Sequence, residues 1–271
     1  MKVSIKSKKP SMAEFGFRED GHLYWWASWY ANVLGYKSVR TLMPSIEKAK
    51  KVCIQLGIDI ESNFIKSDSD VGPNVKLTKF ACFLVALQAD GRKPIVKRAR
   101  TYFLNELEDL NVMLSGQDYL NRMLGKDEIK HLNIKLNSAA ARAHVKDFQF
   151  FMNEGYLGMY NKTMQELKRD RGVAAHRNMI DYMSMTEISA NIFRITLTAE
   201  RLRFLRNPSE LRAAKEHWRI GSQIRSMIKE NTGSYPEELA ISADLKALQK
   251  KLKQTQKMLN TEVKQLEKAS D

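Results

Sequence analysis

Apolar positions change their period along the chain. Near the start they suit strands. Phe15, Phe17, Leu23 and Trp25 are strand formers, Glu19-Asp20-Gly21 is turn material, and residues 13–26 are expected to form a β-hairpin. Residues 27–34 read as a short helix closed by Gly35. Ser38 is placed to cap a helical piece over 39–43, and Pro44 opens a second piece over 45–56 that Gly57 ends. Residues 58–76 hold strand-like pieces around a polar loop over 67–74, with Gly72-Pro73 as its breaker. Thr78 is an N-cap for a helix over 79–89, Asp90-Gly91 breaks it, and Pro94 starts another that runs to about Leu110.

Beyond Leu110 the strand signals vanish. Helices are expected over 118–132, 138–152, 162–171, 174–183, 186–206, 210–230 and 244–268, punctuated by Gly155, Gly158, Gly172, Pro208 and Gly233. The pattern predicts an α+β chain. A small mixed α/β domain over 1–110 precedes an all-helical domain over 111–271 that ends in a lysine-rich helix. In that last helix Leu245, Leu248, Leu252, Thr255, Leu259, Glu262 and Leu266 recur at alternating spacings of three and four. This heptad-like seam suits packing within its own domain or, alternatively, a homo-oligomer built through the C-terminal helix.

The helix over 186–206 carries two stripes. Ile188, Ile192, Ile195, Ala199, Leu202 and Leu205 form an apolar one. Glu187, Asn191, Arg194 and Thr198, continued by Arg201, form a polar one a residue earlier, about 100° around the axis. A polar stripe beside a core stripe sits at the edge of burial. It can tie helices together by hydrogen bonds, the commoner use, or line a groove.

Charge adds a partner class to this picture. The 271 residues include 45 Lys plus Arg against 31 Asp plus Glu, a formal net charge of +14. The surplus is spread over the chain: residues 1–110 hold 18 basic and 12 acidic side chains, and the remainder 27 and 19. Arg92, Lys93, Lys97, Arg98 and Arg100 have no acid between them, and neither do Lys246, Lys250, Lys251, Lys253 and Lys257. Arg201, Arg203, Arg206, Arg212, Lys215 and Arg219 share their stretch with only Glu210 and Glu216. Clusters of this kind attract phosphate backbones by displacing condensed counterions, so DNA, single- or double-stranded, is the expected partner. No helix pairs a Trp/Phe-rich face with a strongly basic one, and no membrane association is expected. The longest apolar run, Phe80 to Leu87, is eight residues where a membrane span needs about 20. No apolar stretch follows the basic start, so a signal peptide is not expected. Two cysteines, Cys53 and Cys82, read as core residues of a reduced, cytoplasmic protein.

Catalytic signals are sparse. There is no phosphate-binding glycine loop, no GxSxG elbow and no histidine or cysteine spacing that would hold a metal, so no cofactor and no metal are expected. Asp181 and Glu187, with His176 nearby, are the one acid–base candidate, but salt bridges and helix caps explain them more simply. A non-enzymatic role is therefore expected. For DNA the candidates are Lys37, Arg40, Lys48, Lys50 and Lys51, on two short helices around Gly35-Tyr36, and Arg92, Lys93, Lys97, Arg98 and Arg100. The first group resembles a helix-turn-helix reader in its layout. The aromatic run Tyr24, Trp25, Trp26, Trp29, Tyr30 and Tyr36 is expected mainly as core, with base stacking as the other use.

These residues also carry a family resemblance. The run Trp25-Trp26-Ala27-Ser28-Trp29-Tyr30, continuing to Leu34-Gly35-Tyr36, resembles the start of BRO-type N-terminal domains of viral and prophage proteins. Leu77-Thr78-Lys79-Phe80-Ala81-Cys82-Phe83, Lys93-Pro94-Ile95-Val96, Asn153-Glu154-Gly155-Tyr156-Leu157-Gly158 and Thr186-Glu187-Ile188-Ser189-Ala190-Asn191 resemble the bacterial DNA-damage-inducible protein D family, in matching order. Pro236-Glu237-Glu238-Leu239 fits as well. The resemblance implies a DNA-binding modulator of the damage (SOS) response and of recombination, with a RecA nucleoprotein filament on single-stranded DNA as a further partner. It implies no catalytic set. The alternatives left open are a metal-dependent nuclease or toxin of phage defence and a prophage-type transcriptional regulator or antirepressor.

Overall fold

Four antiparallel strands open the chain: β1 (Phe17–Glu19), β2 (His22–Trp26), β3 (Phe64–Ser69) and β4 (Gly72–Thr78). They form one sheet in the order β1-β2-β4-β3, with Trp25 and Phe64 both opposite Leu77. All three of these side chains are buried, which sets the register. The computed structural model describes residues 16–19, 22–69, 72–105 and 118–267. The turn expected at Asp20-Gly21 and the domain boundary at Leu110 fall outside the described residues.

Helices α1 (Ala27–Val33), α2 (Val39–Leu56), α3 (Lys79–Gln88) and α4 (Pro94–Asn105) complete the first part. Every side chain from Phe80 to Ala86 is buried. That is the signature of a central helix with core on all sides, and it explains the long apolar run. Thr78 caps α3, its hydroxyl accepting from the Ala81 N–H at 3.2 Å. Gly57 closes α2 in the left-handed region at φ 61°, as a helix C-terminal glycine does.

Two expectations here are corrected. The 39–56 stretch is one helix and not two, with Pro44 inside it. Pro44 removes only the bond its N–H would give Arg40, while Leu42, Ile46, Ala49, Val52 and Leu56 hold one buried stripe across it. The polar loop expected over 67–74 is paired, with Ser67 opposite Asn74 and Ser69 opposite Gly72. Its polar composition misled because backbone pairing needs no apolar side chain.

The chain divides into two units, Met1–Gln117 with Ala247–Asp271, and Asp118–Lys246. The second holds α5 (Asp118–Arg142), α6 (Phe148–Tyr160), α7 (Met164–Asp170), α8 (Met185–Arg203) and α9 (Glu210–Thr232), with no strand among its described residues. The architecture is thus α+β, a small antiparallel sheet with helices followed by an all-helical region. Helix α5 runs through 133–137, where a break was expected, because Asn133 and Asn137 weaken a helix without stopping it. The break comes instead at His144, at φ 63°. The helix expected over 174–183 reduces to a 3-10 turn, Met179–Tyr182. Side chains satisfy the backbone there: Arg122 donates to the Asp181 and Met183 carbonyls at 2.9 and 2.7 Å, and Lys168 donates to that of Ala175 at 2.9 Å.

The last helix, α10 (Leu245–Glu267), differs from the expected domain division, since from Ala247 onward it groups with the first unit. Leu245, Leu248, Leu252, Thr255 and Leu259 of its seam are all buried within the single chain. The Glu262 and Leu266 side chains fall outside the described residues.

Candidate nucleic-acid interface

Ten basic residues were expected at the interface, and their surroundings sort them. The buried face of α2 is Leu42, Ser45, Ile46, Ala49, Val52, Cys53 and Leu56. Arg40, Lys48 and Lys51 stand on its opposite, exposed side, and Arg40 to Lys51 spans about 17 Å at 1.5 Å per residue. Lys37 is exposed in the turn before it, and Lys97 and Arg98 are exposed on α4. None of these six has a hydrogen bond or ion pair among the described residues. Lys50 is different: it pairs with Glu47 at 2.9 Å and sits over the Phe64 ring at 6.0 Å.

The second cluster is partly structural. Arg100 donates to the Ala86, Leu87 and Ala89 carbonyls at 2.8, 3.1 and 2.6 Å, closing the C-terminal end of α3. Lys93 donates to the Gly35 carbonyl at 2.7 Å, with its ammonium 4.7 Å from the Tyr36 ring centre. The Tyr36 hydroxyl in turn accepts from the Asp90 N–H at 2.8 Å. Gly35 is left-handed at φ 71°, and a Cβ there would come within 3.1 Å of Ile95. These contacts draw the start of α4 onto the α1–α2 turn, so the two basic clusters, distant in sequence, meet there. Arg92 is 92% exposed although it pairs with Asp90 at 3.0 Å. Hydrogen bonds from the Arg92 side chain and backbone hold the Asp90 carboxyl down at about 2.

Of the aromatic run, Trp25 and Tyr30 are core, while Trp29 is 52% exposed. Cys53 and Cys82 are buried and free, and burial pushes the Cys53 thiol up to about 12 and raises that of Cys82 as well. Neither is poised as a nucleophile.

The polar stripe of α8 is an inter-helix network. Glu187, Asn191, Arg194 and Thr198 are all buried. Arg171 pairs with Glu187 at 2.8 Å and donates to the Pro236 carbonyl at 2.8 Å. Glu187 also accepts from the Ser184 N–H at 3.2 Å, as a capping box. Asn191 donates to the Tyr160 hydroxyl at 2.8 Å and accepts from Arg194 at 2.9 Å. Arg194 then meets His217 Nε2 and lies 4.9 Å from the Tyr156 ring centre. No carboxylate bonds to this fully buried guanidinium, and burial pushes its pKa down. Lys126 pairs with buried Asp181. The acid–base trio therefore does not assemble, since Asp181 and Glu187 each hold their own cation and His176 is exposed. No group of three His, Cys, Asp or Glu residues that could hold a metal occurs among the described residues. No described helix is long and apolar enough to cross a membrane.

Sequence reasoning found the stripe but missed its partners, Arg171, Tyr160 and His217. Their one signal was glycine spacing. Gly155, Gly158 and Gly221 sit where α6 and α9 approach so closely that a Cβ would collide with the Arg194–His217 pair, the Trp218 carbonyl and the Gly155 carbonyl.

His217 provides a test. Its Nδ1–H donates to the Phe151 carbonyl at 3.0 Å, which leaves Nε2 to accept from Arg194. Burial, then the Arg194 charge, lower its pKa well below the ordinary 6.5. A depressed folded pKa means stability that is present above the unfolded value and lost as pH falls toward the folded one. Stability should therefore fall below about pH 6.5 with an added slope approaching about 1.4 kcal/mol per pH unit. His217→Gln, which keeps an acceptor for Arg194, should lack that added slope in urea titrations from neutral pH downward. Equal slopes would show that His217 is not the titrating group.

The arginines of 201–219 are largely engaged. Arg201 and Arg219 share Glu216 at 3.1 and 2.8 Å, Arg203 pairs with Glu200 at 2.9 Å, and Arg212 donates to the Arg206 and Asn207 carbonyls at 3.1 and 3.4 Å. The free cations of α2, the turn before it and α4 are thus the better candidate surface.

Comparison with known proteins agrees with the two-part reading. Residues 117–250 match a family model described as the DinD C-terminal domain. The chain is also 31% identical over 257 residues to the DNA damage-inducible protein D of Escherichia coli (strain K12), an alignment covering 88% of this chain and 94% of that protein.

Proposed function

The chain belongs to the DNA damage-inducible protein D family, and from that premise we propose that it acts in the DNA-damage response as a non-enzymatic, DNA-binding modulator of recombination. The observation that carries the reading is the meeting of two basic clusters at the α1–α2 turn, with Lys37, Arg40, Lys48, Lys51, Lys97 and Arg98 exposed and uncommitted among the described residues. Such a surface neutralises phosphates and releases counterions, so affinity depends steeply on salt.

The test is fluorescence anisotropy with labelled single- and double-stranded DNA over a salt series, with Mg²⁺ present and the products run on a gel. The expected result is intact DNA and a linear fall of log K with log salt. In the double variant Arg40→Ala, Lys51→Ala the slope should flatten by about two units, roughly one per lost phosphate contact. Unchanged slopes would remove α2 from the interface. Absence of binding to either DNA at low salt would sink the reading, and cut DNA would replace it with the nuclease alternative. The finer form, restraint of a RecA filament on single-stranded DNA, predicts tighter binding to the filament than to the bare strand.

A further inference from the structure

In the second unit α6, α7 and the segment after α7 border a cleft of about 700 Å³, within the size range of small-molecule sites. Its lining contains no carboxylate. Three carboxamides line it, Gln149, Asn153 and Gln165, and none has a hydrogen-bond partner among the described residues. Each offers a donor and an acceptor side by side, the arrangement that pairs with the edge of a nucleobase.

Tyr156 is the second observation. It lines the same cleft, is only 8% exposed, and its hydroxyl has no hydrogen-bond partner among the described residues. Its ring is held in place by Tyr160, stacked at 5.9 Å, and by Arg194 at 4.9 Å. A buried hydroxyl left without a partner is costly unless something entering the cleft satisfies it. Met152, Met164 and Val173 add apolar wall, the methionines with polarisable sulfur that packs well on flat rings.

The remaining polar lining is cationic. Lys168 gives one of its three donors to the Ala175 carbonyl at 2.9 Å. Arg169 reaches Asp170 through Nε at 3.1 Å, leaving its terminal nitrogens, and is 75% exposed. Cations without a facing carboxylate suit a phosphate group.

We infer that this cleft binds a nucleoside phosphate, its base against Tyr156 and the methionines, its edge read by the carboxamides, and its phosphate at Lys168 and Arg169. The inference does not rest on DNA binding by the first unit. The same chemistry is offered by a free nucleotide and by the phosphorylated end of a single strand.

Isothermal titration calorimetry on the full chain tests it, with deoxynucleoside monophosphates, nucleosides, inorganic phosphate, a glutamate-rich peptide, and short oligonucleotides with and without a 5′ phosphate. The monophosphate is expected to bind at least about tenfold tighter than nucleoside, phosphate or peptide, as the combined hydrogen bonds of base and phosphate imply. Gln149→Ala and Gln165→Ala, both at exposed positions, and Tyr156→Phe should each weaken it by about three- to tenfold with helical content and melting unchanged. The Arg40→Ala, Lys51→Ala variant should bind the monophosphate normally, which separates this site from the first unit's. An oligonucleotide whose affinity needs both the 5′ phosphate and Gln165 would identify the strand end as the ligand. If only the monophosphate responds to these changes, the ligand is the free nucleotide. No heat at millimolar monophosphate, binding indifferent to all three variants, or equal affinity for phosphate alone or for the peptide would overturn the inference.

Discussion

Arg171→Met should destabilise the second unit by about 3–5 kcal/mol, the usual cost of leaving one partner of a buried ion pair behind. Arg171 and Glu187 are 5% and 0% exposed, so water cannot replace the lost cation. The Pro236 carbonyl loses its donor in the same step. The loss should depend on pH in a definite sense. Burial raises the Glu187 carboxyl above its ordinary 4.5, and the Arg171 charge and hydrogen bond pull it back. In the variant both of these restraining influences are gone and the folded value climbs further. A carboxyl whose folded pKa is raised favours the fold below its unfolded value, and that contribution disappears as pH rises through the folded one. The gap between variant and parent should therefore widen from about pH 4.5 upward and then level off. Urea unfolding at mildly acidic and mildly basic pH measures it, and an equal gap at both would mean that Glu187 does not carry the charge penalty.

Gly158→Ala comes next in size. In an open helix the change gains about 0.5–1 kcal/mol, because glycine loses more backbone freedom on folding. Here the new Cβ collides with the Trp218 carbonyl, a backbone atom that cannot swing away. Overpacking against rigid neighbours costs about 1–3 kcal/mol or more, so the sign reverses. Gly125→Ala makes a control, since its Cβ would meet the side chain of Ile188, and it should lower the melting temperature less than Gly158→Ala. A Gly158→Ala protein that melts no lower than its parent would show that α6 and α9 can part without loss.

The helix α8 shows how far a one-dimensional pattern reaches. Its apolar and polar stripes were legible because a helix repeats every 3.6 residues and the burial boundary follows that period. The use of the polar stripe was not. Arg194 needs Asn191 from its own helix, but also His217 from α9 and the Tyr156 ring from α6, and such partners leave no mark at a fixed spacing. The ten interface candidates divide in the same way. Arg98 and Arg100 are equally basic in the sequence, yet one is exposed and uncommitted among the described residues while the other holds three carbonyls at the end of α3.

What the amino-acid sequence by itself determined are the local matters. The excess of cations, the fully buried run of α3, the cap at Thr78, the closing glycine of α2 and the change from mixed structure to helices all depend on neighbours a few residues apart. Tertiary structure decided the rest. Packing carried α2 through Pro44, reduced residues 174–183 to a 3-10 turn and grouped α10 with the first unit. The meeting of Lys93 with Gly35 and the cleft beside Tyr156 are likewise products of chain folding. Burial energy and the pairing of buried polar groups are summed over residues distant in sequence, and no local period records that sum.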